Sequence, residues 1–461
     1  MRIMTVPITP SLLLCLLLSL TGATFPTRAE SPTRVLIITG GHGFQREPFF
    51  DLFRNIPDIT FIEARHQDAG DAYDREDLLD HDVVILYDMV QRVTDSRKER
   101  FLSLFDHGVG LVVLHHAIVS HQNWPDYERV IGGLYPEPQD QKGVVTEALG
   151  YEHDVDIPVV IAARDHPVTR GLRDFILHDE IYWGYRVNAD VTPLLTTPHE
   201  RSGNPLAWAR TEQKSRVVFI QPGHGPEAFK DPNYRRLIRQ SIQWVKSPNP
   251  RPAWTPLLKG ESLDGWVVHG GKARYRVEDG QIIGTSVPNT PNSFLCTERE
   301  YGNFILELEF KVHDQLNSGV QIRSHAFDHP TEFEWKGRAI KVAPRRVHGL
   351  QVEIDPSDRA WTAGIQEEGG RSWLNNLRNN EPARQAFKAG QWNRLRIECH
   401  EAAIRTWLNG VPAADLKDDR TLSGFIGLQV HGVGDRTEPM EVRFRNLRLK
   451  ELPRASATNR P

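Results

Sequence analysis

At 461 residues the chain is too long for one ordinary hydrophobic core, so two domains are expected. Apolar residues at 39% and charged residues at 25% fit folded material and argue against a disordered chain. A formal net charge of -4, with no concentrated basic stripe in either half, argues against nucleic acid as a partner.

The first elements form a leader. Arg2 supplies a positive start, Ser11 to Leu20 is a compact apolar run, and Ala23 and Ala29 are small residues suited to a cut. Residues 1–29 therefore read as a secretory signal peptide, which predicts a secreted or periplasmic protein. The run is too short to span a bilayer unaided, so no stable membrane span is expected, and a membrane anchor is the plainer alternative. Cleavage would remove Cys15 and leave Cys296 and Cys399. The two thiols either pair or sit as small buried hydrophobes, and both readings stay open.

Residues 30–246 alternate strand and helix. Val35 to Thr39, Asp82 to Tyr87, Gly110 to His115 and Arg216 to Gln221 are unbroken apolar strands. Asp95 to His107 and Asn233 to Lys246 carry apolar residues at helical spacing. Buried strands separated by helices predict a doubly wound α/β domain on a parallel sheet. Residues 247–252 hold three prolines and read as a stiff linker. From 253 to 453 the period changes to two: Phe304 to Val312, Leu395 to Cys399 and Glu441 to Leu449 alternate cleanly, and Asn409-Gly410 signals a hairpin. These features predict an all-β antiparallel sandwich of jelly-roll type. Residues 454–461 read as a disordered tail.

Ligands of open α/β sheets bind at the carboxyl ends of the strands. His42, His115, His116 and His224 fall there, two of them inside Gly-His-Gly turns, and Asp179 and Glu180 supply nearby carboxylates. The set His42, His115, His116, His224 and Glu180 is a candidate metal or acid-base site. The plainer alternative is that these histidines cap strand ends. In the second domain, strand period two groups Asn317, Gly319, Gln321 and Arg323 on one face, then Gln351, Glu353 and Asp355, then Gln429 and His431. Carboxamides and carboxylates donate and accept at fixed angles, as sugar hydroxyls require. Trp335, Trp361 and Trp373 are candidate platforms for a sugar ring.

The segments Gly40-Gly-His-Gly43, Gly110 to His116, Asp165 to Leu172, Asp179-Glu180 and Pro222-Gly-His-Gly225 resemble the ThuA-like domain, a branch of the class I glutamine amidotransferase-like superfamily. The mature first domain holds no cysteine to act as the nucleophile of a true amidotransferase, so glutamine hydrolysis is not expected. The resemblance implies a link to sugar metabolism. The second domain resembles the 3-keto-disaccharide hydrolase domain, a concanavalin-A-like sandwich. The likeness rests on Leu257 to Trp266, Asn317 to Arg323, Gln351 to Asp355, Gly390 to Asn393, Leu408 to Gly410 and Phe444 to Leu449. Where that family often carries Gly-x-Tyr after the acidic strand, this chain reads Thr362-Ala-Gly-Ile-Gln366.

The second resemblance implies cleavage of 3-keto-glycosides. A ketone at C3 acidifies the C2 proton, a base removes it, and the C1 substituent leaves by elimination; water added to the enone completes hydrolysis. On that implication Glu353 or Asp355 is the base, and Arg323 or a divalent ion (Mg²⁺, Mn²⁺ or Ca²⁺) stabilises the enolate. His348 or His431 is the acid, and Asn317, Gln321, Gln351, Trp361, Gln429 and His431 bind the sugar. The expected partner is a small-molecule sugar, and no nucleotide cofactor is expected. The alternative is a non-catalytic carbohydrate-binding sandwich that tethers the first domain to glycans, and a third reading is an exported interaction protein without chemistry. Oligomeric state stays open.

Overall fold

A computed structural model describes residues 31–136, 148–246 and 254–452. The leader, the proline-rich linker and the tail lie outside the described residues. No described helix is long and apolar enough to cross a membrane.

Nine strands form the first sheet in the order Ile59–Arg65, Thr33–Gly40, Val83–Asp88, Gly110–Leu114, Ser215–Ile220, Ala207–Glu212, Thr192–Thr196, Gly150–Ile161, Phe175–Trp183. The first five run parallel, and the rest are antiparallel. The sheet is thus mixed rather than parallel throughout. The reason is local. Ala207–Glu212 and Ser215–Ile220 close as a hairpin with Glu212 opposite Ser215, and Gly150–Ile161 alternates buried and exposed residues, as antiparallel strands with one wet face do. Both faces of the parallel part are covered. Helices Arg46–Arg54 and Pro232–Val245 bring Phe49, Phe53, Leu237 and Ile242 to one core, and Asp95–Asp106 brings Phe101, Leu104 and Phe105 to the other. Asp231 caps the last helix by accepting from the backbone N–H groups of Asn233 and Tyr234.

The second domain is two antiparallel sheets packed over one core. Phe304–Val312, Asn393–His400, Ala403–Leu408 and Glu441–Glu451 belong to one sheet; Ser293–Thr297, Ser318–His325, His348–Ile354 and Phe425–Val430 belong to the other. Leu306, Leu308, Val320, Val352, Leu395 and Leu428 meet between them. Asn409-Gly410 is a two-residue hairpin turn with φ of 52° and 86°, and Leu408 pairs with Val411 across it. Cys296 and Cys399 are both buried and unpaired, one in each sheet. Burial pushes the Cys399 thiol up to about 11.

The two domains meet across a polar contact. Arg100 pairs with Glu398, Arg394 with Glu76, and Asp80 with both Arg396 (2.9 Å) and Lys450 (3.1 Å). The Trp407 indole N–H donates to the Asp74 carbonyl at 2.8 Å. Arg100, Arg396 and Glu398 are almost wholly buried. The domains are therefore docked by paired charges, and the proline-rich segment is not their only connection.

Candidate functional site

The polar face of the sandwich is built by register. Val320, Ile322, Leu350, Val352, Ile354 and Leu428 face the core, so alternate residues turn outward. Gln321 then stands opposite Gln351 and Gly319 opposite Glu353. A Cβ at Gly319 would lie 2.6 Å from the Gln351 carboxamide, so glycine here leaves room for that amide to cross toward Glu353. Three carboxamides converge on Glu353. Asn317 Nδ2 donates to Oε1 at 2.7 Å, and Gln351 Nε2 and Gln366 Nε2 donate to Oε2 at 2.8 and 3.0 Å. Gln321 donates to Gln351 Oε1 at 2.6 Å, and Gln351 also reaches Gln429 Oε1 at 3.4 Å. Glu353 is 3% exposed. Burial pushes its carboxyl up, against the pull of the Asn317 and Gln351 hydrogen bonds.

Asp355 does something else. Its carboxylate accepts from Ser357 N–H and Oγ, from Arg359 Nε at 2.8 Å and from Trp361 N–H, which closes the loop between the two strands. Thr362, where the related family often has Gly-x-Tyr nearby, exchanges hydrogen bonds with the Asp355 backbone at 2.9 and 3.0 Å. Arg359 is the residue that sequence reasoning missed. It lies 3.6 Å from Glu353 Oε1 and 5.0 Å from the centroids of both Trp361 and Trp373, which pack edge to face at 4.7 Å. Only its spacing, four residues after Asp355, hinted at this.

Arg323 is not brought to Glu353. It sits at a bulge with φ of 47°, where the register shifts against both neighbouring strands. Strict alternation fails there, and the guanidinium bonds the carbonyls of Gly302 (3.0 Å) and Glu401 (2.6 Å) and Asn303 Oδ1 (3.3 Å). His348 begins its strand five residues before Glu353, about 17 Å away along an extended chain. Its Nδ1 lies 3.1 Å from the Arg346 carbonyl, and its ring packs near Phe327. His431 is exposed just past Phe425–Val430; burial pushes the nearby Glu368 carboxyl up, and Arg346 and His431 offset this only in part. Trp335 lies on a separate hairpin, under Arg371.

The α/β domain assembles a second cluster at the carboxyl ends of its strands. Gly110–Leu114 ends at His115, which holds φ of 52°, and its ring meets that of His116 edge to face at 5.4 Å. Nε2 of His115 lies 2.8 Å from Glu180 Oε2 and 3.3 Å from His224 Nδ1, and His224 Nδ1 is 3.0 Å from the same oxygen. The Asp179 carboxylate accepts from the backbone N–H groups of Gly223 (2.5 Å) and His224 (3.1 Å), which fixes the Pro222-to-Gly225 turn. Burial opposes ionisation of Glu180, but His115 and His224 hold its carboxyl well below the usual range. The Glu180 hydrogen bond in turn raises His224.

His115, Glu180 and His224 are thus brought together, and their ligand atoms all lie within 4.8 Å of one another. His42 sits at the rim, its imidazole lowered by burial and by His115 and His224. His116 packs instead between the rings of Tyr87 (4.3 Å) and His42 (4.6 Å), with both ring nitrogens buried. His153 was not expected. The pairing of Gly150–Ile161 with Phe175–Trp183 shifts register between Glu152 and Val155, and this bulge sets His153 Nδ1 3.3 Å from Glu180 Oε1. The cluster floors a cleft of about 590 Å³ lined also by Phe44, Asp154, Asp179 and Glu227.

A doubly wound domain with a histidine–carboxylate floor, joined to a sandwich with a carboxamide-lined acidic face, defines a two-domain carbohydrate-active protein. Residues 34–245 match the family model described as trehalose utilisation (ThuA), and residues 253–450 match the 3-keto-alpha-glucoside-1,2-lyase-like domain. The chain thus carries a ThuA domain followed by a 3-keto-disaccharide hydrolase-like domain. No curated protein matches it. Among solved structures it is similar to a putative ThuA-like protein from Parabacteroides merdae, at 17% identity over 48% of this chain and 93% of that one, TM-score 0.41. It is also similar to a putative glycosyl hydrolase from Parabacteroides distasonis, at 19% identity over 43% and 94%, TM-score 0.29. A third is the carbohydrate-binding module CBM66 from Bacillus subtilis, at 13% identity over 42% and 100%, TM-score 0.29.

Proposed function

We propose that this chain is an exported protein that cleaves 3-keto-glycosides on the polar face of its sandwich, with Glu353 as the base that removes the C2 proton. The observation that carries the reading is the Glu353 carboxyl itself. It is buried, its proton affinity is raised, and three carboxamides hold it in one orientation. A carboxylate so placed is a stronger base than one in water, and it is pre-oriented. The C2–H electron pair becomes the enolate, the C1–O bond then breaks toward the leaving oxygen, and water adds to the enone. Arg359, 3.6 Å from Glu353 and beside the two tryptophans, is the candidate to meet the enolate oxygen. A hard divalent ion on the same carboxylate and carboxamide oxygens would serve the same end. His431 is the candidate acid, since it stays exposed while His348 lies up the strand.

One observation favours the alternative, a non-catalytic sugar-binding sandwich. Both Glu353 oxygens are already engaged by amides, as in a closed recognition network. Incubation with a 3-keto-glucoside and with its unoxidised parent separates the two. Release of the aglycone from the oxidised substrate alone is expected, and Glu353→Gln is expected to cut turnover by about 10²–10⁴ while binding persists. Equal binding of both sugars with no release from either would establish the tether.

A further inference from the structure

We infer that the floor of the α/β cleft binds one divalent transition-metal ion of the zinc type, held by His115 Nε2, His224 Nδ1 and Glu180, with the half-exposed His153 turning in as fourth ligand. This site goes beyond the glycoside reading and does not depend on it.

The tautomer of His115 is set from outside the cluster. Its Nδ1 lies 2.7 Å from the Gln221 carbonyl oxygen, which can only accept, so Nδ1 carries the proton and Nε2 presents a lone pair. That lone pair meets a carboxylate oxygen at 2.8 Å, the Tyr182 hydroxyl at 2.9 Å and a second imidazole nitrogen at 3.3 Å. Tyr182 O–H can donate to that nitrogen and His224 Nδ1–H to the carboxylate, but the 2.8 Å approach of the His115 lone pair to the Glu180 oxygen still needs a proton or a cation between them. Spacing favours the cation, because ligands about 2.0–2.1 Å from a tetrahedral zinc ion stand roughly 3.3 Å apart. The His115–His224 separation is 3.3 Å, and a small turn of Glu180 would open its two shorter contacts to match.

The surroundings agree. Among the described residues, the cleft lining includes Asp154, Asp179, Glu180 and Glu227 but neither lysine nor arginine. The Gln221 carbonyl holds the other ring nitrogen of His115, the outer support that metal-bound histidines use, and Asp179 clamps the backbone of the turn that carries His224. His153 approaches Glu180 from the bulge, its ring 4.7 Å from that of His224. Three imidazoles and one carboxylate suit zinc, cobalt, nickel or manganese far better than magnesium or calcium.

The test uses the full mature chain. Elemental analysis after dialysis is expected to find about one transition-metal equivalent, and Zn²⁺, Co²⁺ or Ni²⁺ should raise the Tm of the stripped protein. His224→Ala and Glu180→Gln are expected to lose the ion. His153→Ala should retain it with a Kd raised on the order of 10–100-fold. Affinity should fall as pH drops, because the imidazoles must shed protons to bind. Glu353→Gln should keep wild-type metal content, so failure of the glycoside reading leaves this result untouched. If a variant does not fold, Co²⁺ added to the stripped wild-type chain should give the intense visible bands of a tetrahedral nitrogen-rich site. A metal-free chain whose Tm no transition ion moves would overturn the proposal. So would metal content unchanged in both His224→Ala and Glu180→Gln, and an unchanged Kd in His153→Ala would remove the fourth ligand.

Discussion

Glu353 and Asp355 stand two residues apart, yet their surroundings give them different duties. Glu353 takes side-chain amides from three directions, while Asp355 takes hydrogen bonds from its own loop. Two predictions follow from that contrast. Glu353 has a raised proton affinity in the fold, so the stability it contributes is present at low pH and lost as pH rises through its folded pKa. Glu353→Gln cannot ionise, but its NH2 must face one of the amide donors, so the variant starts less stable and its Tm deficit is expected to narrow as pH rises to 8 while catalysis collapses. Asp355→Asn should instead destabilise by about 1–3 kcal/mol, read by urea unfolding, since charged hydrogen bonds that order residues 357–361 weaken.

A third titratable group behaves like Glu353. Asp88 is wholly buried, 3.8 Å from His66 Nε2, and burial pushes its carboxyl up to about 7. The folded chain therefore holds a proton that the unfolded chain releases between about pH 4 and 7, and stability falls with rising pH across that window. Asp88→Asn should remove the loss. Its advantage over wild type is expected to grow from pH 4 to pH 7, up to a bound of about 4 kcal/mol, measured by denaturant titration at several pH values.

At the scale of elements, bulges decide which side chains reach a site. The irregularity after Ile322 takes Arg323 off the polar face, and the one after Glu152 brings His153 to Glu180. Between bulges, register is strict, and Gly319 shows how little room it leaves. Gly319→Ala would drive a methyl into the Gln351 amide and displace it from Glu353. A loss of about 1–3 kcal/mol is expected for such overpacking, together with lowered turnover, because the base loses one of the donors that orient it.

Across the whole molecule, the docked domains carry charge that neither could bury alone. Arg100 is 1% exposed, and its partner Glu398 is held well below the usual carboxylate range by Arg100, Arg405 and Arg396 despite burial. Arg100→Met would strand Glu398 in the interface, at a cost of about 3–5 kcal/mol at pH 7. Adding Glu398→Leu to that variant should recover most of the loss. The Glu398 contribution is present at neutral pH and lost as pH falls through its lowered pKa, so the destabilisation should shrink in acid. Residues 254–452 expressed alone should unfold at lower denaturant than within the chain, since Arg396 and Lys450 lose Asp80.

Local chemistry was readable without coordinates. Unbroken apolar strands, helical spacing and the Asn409-Gly410 turn were enough for both fold classes, because burial on two faces and φ > 0 at a turn each demand particular residues. His115, Glu180 and His224 were visible as candidates because strand ends of an open sheet are where ligands gather. The antiparallel extension of the first sheet, Arg359, His153, the detour of Arg323 and the charged interface were not. Each depends on which segments become neighbours and on where a ladder slips by one residue, and period two carries neither piece of information. The pattern along a strand names the residues on a face; only the assembled sheet decides which of them meet.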